Sequence, residues 1–501
     1  MPVSAAPPSS ADEQVLKKLG YTPQLARRMS GFGNFALSFS VISVLSGCMT
    51  LYGFGLNTGG PAVMIWGWTV VGLMVLFVGL ALAEVTSAYP TAGALYFMAG
   101  KLRGPRWAHY TGWFNLLGLL GGMAAGPYGC ALFIGAWLNL SYGFTPTPVK
   151  TFLIFAGLLL LLAVMNLFGV HLVSVLNSIS VWWHLGGVAV IVAALVFIPD
   201  HHQSAGFVFG EFTNNTGWGN PLYVGLLGLL LAQYTFSGYD ASAHLSEETE
   251  RAQTAAAKGI VHSIFWSWVA GFILLAGLLF AIQDYDGTIN SATGVPPAQI
   301  FLDALGPSMA KILLLVVIIA QIFCANAGMT SASRMIFAFS RDGALPLAKK
   351  LRRTSVRTKT PVNAVWLAAV VPLLLAAPAL FSTTAYTAIT TINVIGITPA
   401  YAIPIFLRLR RGKQFKPGTW HLGRWSKPIG WIAVIWVAFV TILLCLPSVS
   451  PITVDTFNYA PVALVVMLTL AWAAWHWGLR HDIVPEYGTA SERDQMAEDI
   501  V

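Results

Sequence analysis

Long apolar runs, separated by short polar segments, follow one another along nearly the whole chain. A helix that crosses the hydrocarbon core of a bilayer needs about 20 mostly apolar residues. Twelve windows meet this requirement and are numbered spans 1 to 12: 33–56, 61–85, 110–138, 151–170, 176–198, 221–245, 259–282, 311–338, 362–380, 384–408, 428–447 and 459–479. The pattern predicts an all-α integral membrane protein with twelve transmembrane helices.

Composition narrows the class of protein further. The 501 residues are 56% hydrophobic and 10% charged, with a mean hydropathy of +0.69. A soluble domain carries about 25% charged residues, so a water-soluble enzyme is excluded. The four cysteines lie in apolar runs at unrelated spacings, which favours small buried residues over a disulfide framework or a metal site. Catalytic and nucleotide-binding motifs are missing from the sequence, so we expect no enzyme, no cofactor and no bound metal.

The basic residues indicate how the chain lies in the membrane. With twelve spans, all but three of the 28 Lys and Arg residues fall on one side, and the exceptions are Lys150, Lys311 and Arg334. Positively charged loops stay in the cytoplasm, so both termini are predicted to be cytoplasmic. We interpret the basic loops as contacts with anionic membrane lipids and not with nucleic acid.

Spans 1–5 and spans 6–10 are predicted to form an inverted repeat. Some membrane proteins consist of two such halves, and the first helix of each half is broken near the midplane. Ser46-Gly47 in span 1 and Ser237-Gly238 in span 6 stand at matching places, each about halfway along an apolar run. Either pair alone is typical of close helix packing, but their matching positions favour two broken helices.

A broken helix offers backbone groups to a ligand. The N–H groups at the start of the resumed half carry a partial positive charge and attract a carboxylate. The carbonyl groups that the break leaves unpaired can accept hydrogen bonds from an ammonium group. A zwitterion therefore fits between two such breaks without a charged side chain.

Three stretches carry a resemblance to a known family. Residues 84–96 (EVTSAYPTAGALY) resemble the span 2–3 signature of the amino acid–polyamine–organocation permeases, and residues 333–346 (SRMIFAFSRDGALP) resemble their span 8–9 signature. Residues 236–248 are similar to the span 6 region of the amino acid/choline branch, which includes GABA, amino acid, choline and polyamine permeases. The resemblance implies a five-plus-five inverted repeat with broken helices 1 and 6, two extra helices, and secondary active transport of a small amine-bearing solute.

On this resemblance, the expected substrate is an amino acid such as GABA, carried with a proton across the plasma membrane. A choline or polyamine permease, an amino acid exchanger and a permease-like nutrient sensor are the alternatives, and the oligomeric state stays open. We expect cytoplasmic tails at residues 1–30 and 481–501 and a permease domain at 31–480. Within this domain, repeat one covers 31–198, repeat two covers 220–408 and the two accessory helices cover 428–479.

The substrate is expected to contact both broken helices. The candidate binding residues are Ser46, Gly47, Cys48, Phe236, Ser237, Gly238, Tyr239 and Asp240. Phe236 is predicted to be an aromatic lid over the site, with simple packing as the alternative. Asp240 either contacts the substrate amine or caps the resumed half of span 6, and the sequence leaves both open. For Tyr239, packing is favoured over a contact with a cation.

His184 is the candidate for proton coupling. It lies within the apolar window of span 5, where several relatives carry a lysine. A histidine titrates near neutral pH, so a proton is favoured over sodium as the coupling ion. Thr330 and Ser331 on span 8 are its candidate neighbours. The alternative is a histidine that only bonds a backbone carbonyl.

Polar residues at the cytoplasmic ends of spans are predicted to form ion pairs between the loops of an inner gate. These residues are Glu84, Glu247, Glu248, Arg341 and Asp342. A structural role is the alternative for Glu84. Asn115 and Asn166 stand alone in apolar helices, which predicts hydrogen bonds between helices.

Overall fold

The computed structural model describes residues 11–19, 27, 29–168, 170–291, 293–355, 358, 360–382 and 384–476, and within them all extended regular elements are helical. The predicted C-terminal tail 481–501 and most of the N-terminal tail lie outside the described residues. Ten of the described helices are long and apolar enough to cross a membrane. Two shorter apolar helices, Pro221–Thr235 and Ala460–Ala474, lie at spans 6 and 12. The chain is thus an all-α integral membrane protein.

The observed helices follow the predicted windows. The helices of spans 1 to 12 are Gly31–Ile42, Val44–Thr50 and Tyr52–Asn57; Gly60–Ala88; Pro105–Tyr142; Pro148–Leu167; Val170–Phe197; Pro221–Gly228, Leu230–Thr235 and Ala241–His244; Ala252–Phe280; Pro296–Arg341; Val362–Ala376; Ala385–Arg411; Ser426–Leu444; and Ala460–Ala474. Connecting segments form the α-helices Ala11–Lys18, Ala94–Arg103, Ala205–Gly210, Tyr285–Ile289 and Ala348–Leu351, and the 3₁₀ turns Ser246–Glu248, Ala377–Leu380, Gly412–Gln414 and Gly423–Trp425.

Span 8 begins at a kink inside the longest helical run. Gly306 has φ 77° and ψ 170°, so the run Pro296–Arg341 is two helices that meet there. Pro307 follows at the first position of the second helix, where its missing N–H costs no hydrogen bond. The kink therefore separates a short outer helix from span 8 itself.

Spans 3 and 10 approach each other more closely than side chains would allow. A Cβ atom on Gly118 would lie 2.6 Å from the Cα atom of Ile397, and one on Gly396 would lie 2.8 Å from the Cα atom of Gly118. Small residues allow the two backbones to approach. Close packing of this kind stabilises helix association in a membrane, where lipid supplies no hydrophobic driving force. Large apolar side chains face outward instead, for example Leu153 and Trp182, which are 65% and 67% exposed.

The N-terminal helix Ala11–Lys18 is attached to the start of span 7. The carboxylate of Asp12 accepts hydrogen bonds from the N–H groups of Arg251 (2.8 Å) and Ala252 (3.2 Å). These are the first N–H groups of the helix Ala252–Phe280, which lack partners within the helix itself. The N-terminal segment therefore caps a transmembrane helix far along the chain.

Candidate functional site

Span 1 is interrupted at Ser43 and not at the Ser46-Gly47 pair. Ser43 has φ 34° and ψ 90°, and the helix resumes at Val44, so Ser46, Gly47 and Cys48 are helical. The prediction placed the break three residues too late. Gly47 serves close packing instead, because a Cβ atom there would lie 2.8 Å from the Cα atom of Thr235 on span 6. The resumed helix opens with the N–H groups of Ser46 and Gly47, which both donate to the carbonyl of Ser43.

Side chains from spans 5 and 8 hold this interruption. His184 on span 5 bonds the hydroxyl of Ser43 through Nε2 at 2.7 Å. From span 8, the thiol of Cys324 donates to the carbonyl of Val41 (3.2 Å) and the amide of Gln321 donates to the carbonyl of Leu45 (3.3 Å). Carbonyl groups next to a helix break are the groups that coordinate cations in some transporters, and here they accept hydrogen bonds from neutral donors.

Span 6 is broken where the sequence predicts it. The helix stops after Thr235 and restarts at Ala241, and Gly238 between them has φ 85°. This left-handed conformation is one that glycine adopts without strain. The N–H of Gly238 donates to the hydroxyl of Tyr401 on span 10 (3.0 Å), and the hydroxyl of Ser237 donates to Oδ1 of Asn393 (2.9 Å). The broken segment is therefore held by span 10.

A cavity of about 60 Å³ lies between the two breaks. It is lined by residues of spans 1, 3, 6, 8 and 10: Val41, Ile42, Ser46, Gly47, Leu119, Gly122, Met123, Gly126, Tyr234, Thr235, Ser237, Gly238, Cys324, Ala325, Gly328, Asn393 and Ile397. Among the residues that the structure describes, its wall contains no charged side chain. Polar groups on the wall come from hydroxyl, thiol and amide side chains and from the backbone.

The structure brings together some of the predicted binding residues and separates the others. Ser46, Gly47, Ser237 and Gly238 line the cavity, whereas Cys48 is buried beside it and outside the wall. Phe236 is also outside the wall. Its ring packs on Trp68 of span 2 with 4.5 Å between ring centroids, which agrees with the alternative of packing, and its role as a lid stays a prediction.

Asp240 does not cap the resumed half of span 6, and its contact with the substrate amine stays a prediction. No hydrogen bond joins its side chain to the N–H groups of the helix Ala241–His244, so it is not a side-chain cap. It is also outside the cavity wall. Its oxygens instead accept from the hydroxyl of Tyr401 (2.9 Å) and the amide of Asn115 (3.1 Å), and one lies 3.2 Å from Nε2 of His244. A charged residue in a span needs such partners, and Asp240 finds them inside the protein.

Tyr239 stacks on Tyr401 with 4.5 Å between ring centroids, which is the packing role favoured from the sequence. The predicted interhelical hydrogen bonds of the lone asparagines are also confirmed. Asn115 on span 3 bonds Asp240, and Asn166 on span 4 bonds Asn326 on span 8 at 3.0 Å.

His184 is fully buried, and its partners differ from those expected. Nδ1 lies 2.7 Å from the carbonyl of Ser180, and Nε2 contacts Ser43. Thr330 bonds Asn166, and Ser331 bonds the carbonyl of Ala327, so neither candidate neighbour is a hydrogen-bond partner of His184. The predicted carbonyl contact is present, but the second nitrogen reaches the residue at which span 1 breaks.

The predicted gate residues lie at the ends of spans 2 and 8 and in the turn after span 6, and their role in a gate stays a prediction. Glu84 pairs with Arg408 at the end of span 10 (3.0 Å) and accepts a hydrogen bond from the hydroxyl of Ser426 at the start of span 11. This arrangement fits the structural alternative for Glu84. Arg341 pairs with the adjacent Asp342 at 3.5 Å.

The two other acids, Glu247 and Glu248, are buried in the turn that follows span 6. Glu247 accepts a hydrogen bond from the N–H of Ala92 at 2.8 Å, which joins the turn to the loop after span 2. Burial raises the pKa of the Glu248 carboxyl; Arg334 opposes this and Glu247 adds to it. The charges on this side thus connect loops mainly through backbone groups.

The structure adds residues that the sequence did not single out. Tyr234, Asn393 and Cys324 line the cavity. Asn393 could have been found by the criterion that selected Asn115, because it is also a lone amide in an apolar window. Tyr234 and Cys324 carry no comparable signal, since aromatic and thiol side chains are common in buried positions.

The amino-acid sequence is similar to known proteins over nearly its whole length. The family described as amino acid permease matches residues 30–469. The chain belongs to the amino acid permease family. It is 39% identical to a protein named amino-acid permease BAT1 homolog from Oryza sativa subsp. japonica, over 93% of this chain and 94% of that protein. As an amino acid permease it is a multi-pass membrane transporter with a small-molecule substrate.

Two further relatives extend the comparison. Identity with amino-acid permease BAT1 of Arabidopsis thaliana is 36%, over 95% of this chain and 96% of that protein. Identity with a protein named GABA-specific permease from Saccharomyces cerevisiae is 31%, over 90% of this chain and 81% of that protein. Because these matches cover nearly the whole chain, the permease resemblance applies to all the spans described above.

Proposed function

We propose that this permease is a proton-coupled, secondary active carrier of a small zwitterionic amino acid such as GABA in the plasma membrane. The observation that carries the proposal is the cavity between the two broken helices, whose described wall has no charged side chain. A cation such as choline or a polyamine would enter without a counter-charge, which is costly in a medium of low dielectric constant. A zwitterion brings both charges itself, and opposite backbone groups can satisfy them.

The two ends of the substrate are assigned to different breaks. The carboxylate binds near the start of the resumed helix of span 1, beside Ser46 and Gly47, because the partial positive charge at the start of a helix favours an anion. The amine faces the broken segment of span 6, where backbone carbonyls are freed. The printed name of the yeast relative supports GABA as the first amino acid to test.

The substrate is tested on purified protein. Its thermal unfolding midpoint is measured with a panel of amino acids, choline and polyamines, and hits are followed by uptake of the labelled compound into proteoliposomes. We expect a zwitterionic amino acid to raise the midpoint and to be accumulated. Stabilisation by choline or polyamines alone would refute the proposed substrate class, and binding without uptake or exchange would favour a nutrient sensor.

The proposed proton site is His184. Its Nδ1 must carry a hydrogen, because the carbonyl of Ser180 can only accept. When Nε2 is unprotonated, the hydroxyl of Ser43 donates to it; when Nε2 gains a proton, it must donate to Ser43 instead. Protonation therefore reverses a hydrogen bond at the break of span 1. The neutral donors of Cys324 and Gln321 on the adjacent carbonyls further disfavour sodium there.

The comparison of His184→Gln with His109→Gln tests this coupling. His109 is also buried, but it bonds the carbonyl of Ala471 on span 12, and neither residue lines the cavity. We expect His184→Gln to keep substrate binding while the dependence of uptake on an inward proton gradient flattens, and His109→Gln to behave as wild type. Uptake that follows a sodium gradient, or full pH dependence in His184→Gln, would contradict the assignment.

The proposed orientation has its own test. A reporter fused after residue 290 should be external and one after residue 355 internal, because most basic loops are then cytoplasmic. The reverse pattern would show that both termini lie outside.

A further inference from the structure

A buried acid–base pair lies outside the cavity wall and takes no part in the proposed proton coupling through His184. The pair is Asp240, in the broken segment of span 6, and His244, one turn later. Their side chains are 1% and 0% exposed, and Oδ2 of Asp240 lies 3.2 Å from Nε2 of His244. Two titratable groups this deeply buried need a reason to be present.

The hydrogen bonds around the pair determine where a proton must lie. Nδ1 of His244 is 3.2 Å from the carbonyl of Ala92, which can only accept, so Nδ1 carries a hydrogen. The hydroxyl of Tyr401 receives the N–H of Gly238 and gives its single hydrogen to Oδ1 of Asp240. The remaining contact, between Nε2 of His244 and Oδ2 of Asp240, is then a hydrogen bond only if one of the two atoms carries a hydrogen.

Removal of this hydrogen would leave a lone pair of the imidazole facing either the carboxylate of Asp240 at Nε2 or the carbonyl of Ala92 at Nδ1. The amide of Asn115, which donates to Oδ2 at 3.1 Å, does not relieve that contact. Unpaired buried charge of this kind is strongly disfavoured. The geometry of the pair therefore corresponds to one bound proton, shared between Nε2 and Oδ2.

The pair also connects the cavity to the cytoplasmic side. Gly238 lines the cavity, and its N–H reaches Asp240 through Tyr401. At the other end, Ala92 belongs to the loop after span 2, and its N–H donates to Glu247. The bound proton thus lies between the wall of the cavity and the contact that joins the loop after span 2 to the turn after span 6.

Other titratable or charged groups lie on the elements packed around the pair: Tyr239 and Tyr401 beside Asp240; Glu247 and Glu248 after His244; Tyr96, Lys101 and Arg103 on the helix Ala94–Arg103; Arg106, His109 and Tyr110 on span 3; Lys258 and His262 on span 7; Arg334 and Arg341 on span 8; and Arg408, Arg410 and Arg411 on span 10. In the described part of the chain, the side chain of Asp240 bonds Asn115, Tyr401 and His244, and the side chain of His244 bonds Asp240 and the carbonyl of Ala92.

We propose that Asp240 and His244 form a one-proton binding site that controls whether the cytoplasmic side of the cavity stays closed. With the proton bound, the resumed half of span 6 is held to the loop after span 2. After loss of the proton the neutral imidazole of His244 keeps a single N–H, and when Nε2 carries it toward Asp240, Nδ1 can no longer donate to the carbonyl of Ala92, which releases the loop. The role as a transport gate rests on the proposed carrier function, but the binding of a proton by the pair does not.

Asp240→Asn is the decisive variant, because its amide does not titrate and its N–H group occupies the Nε2 lone pair of His244 that would otherwise take the shared proton. The new amide donates to Nε2 of His244 and accepts from Tyr401. The amide of Asn115 can turn to meet it, since its Oδ1 has no partner in the described residues. The thermal unfolding midpoint of purified, substrate-free protein is measured between about pH 5 and 8, where histidine titrates, with His109→Gln as the matched buried control.

We expect the wild-type midpoint to fall relative to Asp240→Asn as the pH rises, and His109→Gln to parallel wild type. Parallel curves for wild type and Asp240→Asn would overturn the proton site. If Asp240→Asn does not fold, His244→Gln replaces it, because glutamine offers Asp240 a donor that does not titrate, and the same divergence is expected.

Uptake then tests the gate separately. With a labelled amino acid found by the binding screen, exchange is measured at equal pH on both sides. We expect Asp240→Asn to bind substrate and to lose the pH dependence of exchange that wild type shows. A wild-type protein that binds no amino acid would refute the carrier, whereas the unfolding curves would still decide the proton site. Unchanged pH dependence in Asp240→Asn would refute the gate alone.

Discussion

The two broken helices fulfil the same geometric task by different chemistry. Beside the cavity, the break of span 1 consists of one residue, Ser43, and the groups around it are met by side chains from spans 5 and 8. Span 6 is open from Phe236 to Asp240, and its own acid takes part in holding it to spans 3 and 10. Both spans are therefore interrupted beside the cavity, but different residues support the two interruptions.

The two Ser-Gly pairs illustrate the same difference. Gly238 is needed for its left-handed backbone, whereas Gly47 is needed because another helix passes close to it. A glycine in a transmembrane helix can serve either purpose, and only its surroundings distinguish them. Variants that separate backbone conformation from close approach should therefore affect the two spans differently.

The largest effect is expected for substitutions of these glycines. Leu at either position should abolish uptake. Ala should lower it by about tenfold or more: at 238 because a left-handed residue with a Cβ costs about 1–2 kcal/mol, and at 47 because the Cβ would overlap the backbone of Thr235. Val41→Ala should partly rescue Gly238→Ala, because a Cβ at 238 would overlap Cγ1 of Val41. Uptake is compared at equal membrane expression, with Val41→Ala as the control.

Thr235→Ala should not rescue Gly47→Ala. The Cβ and Cα atoms of Thr235 would still lie 2.7 and 2.8 Å from a Cβ at position 47. Equal rescue at both positions would show that the two glycines serve one purpose, which would remove the contrast between the spans.

Asn393→Asp should change the kind of substrate. The side chain of Asn393 lines the cavity and accepts from Ser237, and its amide donates to the carbonyl of Gly118 at 2.8 Å. A carboxylate here repels the carboxylate of an amino acid and attracts a cationic amine. We expect amino acid affinity to fall by about tenfold or more, on the scale of a lost charged hydrogen bond, while choline or polyamine begins to raise the unfolding midpoint. Asn393→Ala is the uncharged control, and an unchanged substrate profile would contradict a zwitterion site.

Ser43 should respond more weakly, in an order that reveals strain. Ser43→Gly relieves the left-handed backbone but loses the bond to His184, whereas Ser43→Ala loses the bond and keeps the strain. A hydrogen bond contributes about 1 kcal/mol, so we expect a several-fold loss of uptake in Ser43→Ala and a smaller loss in Ser43→Gly. Uptake is measured in the same assay. A smaller loss in Ser43→Ala than in Ser43→Gly would contradict the idea that backbone strain at Ser43 lowers uptake.

The smallest effect is expected for Cys324→Ser. The serine hydroxyl can still donate to the carbonyl of Val41, so uptake should stay within about twofold of wild type, whereas Cys324→Ala should lose about as much as Ser43→Ala because both remove one bond at the same break. Equal uptake in the two Cys324 variants would show that the thiol does not support span 1.

The membrane architecture was predictable because it follows from runs of apolar residues, which need no knowledge of contacts. The break of span 6 was predictable for a similar reason, since Gly238 marks it locally. The break of span 1 was not, because it falls on a serine and depends on His184, 141 residues away. Composition carries no signal for a positive φ on such a residue.

The contacts of Asp240 could not be predicted from the sequence for another reason. An aspartate before a short helix is typical of a cap, and only the folded chain shows that Asn115 and Tyr401 reach it first. Asn393 shows the opposite case: a lone amide in an apolar helix marks an interhelical contact wherever it occurs, and the same criterion applied to span 10 would have found this part of the cavity wall.

The cap that Asp12 provides to span 7 has a consequence for biosynthesis. Asp12 and Arg251 are 239 residues apart in the chain. At about 5–20 residues per second of ribosomal synthesis, roughly 12–48 seconds pass before the amide groups that Asp12 binds have been made. During that time the start of the chain must wait without its native partner while the first six spans enter the membrane. The N-terminal helix thus reaches its native place only after six spans have been synthesised.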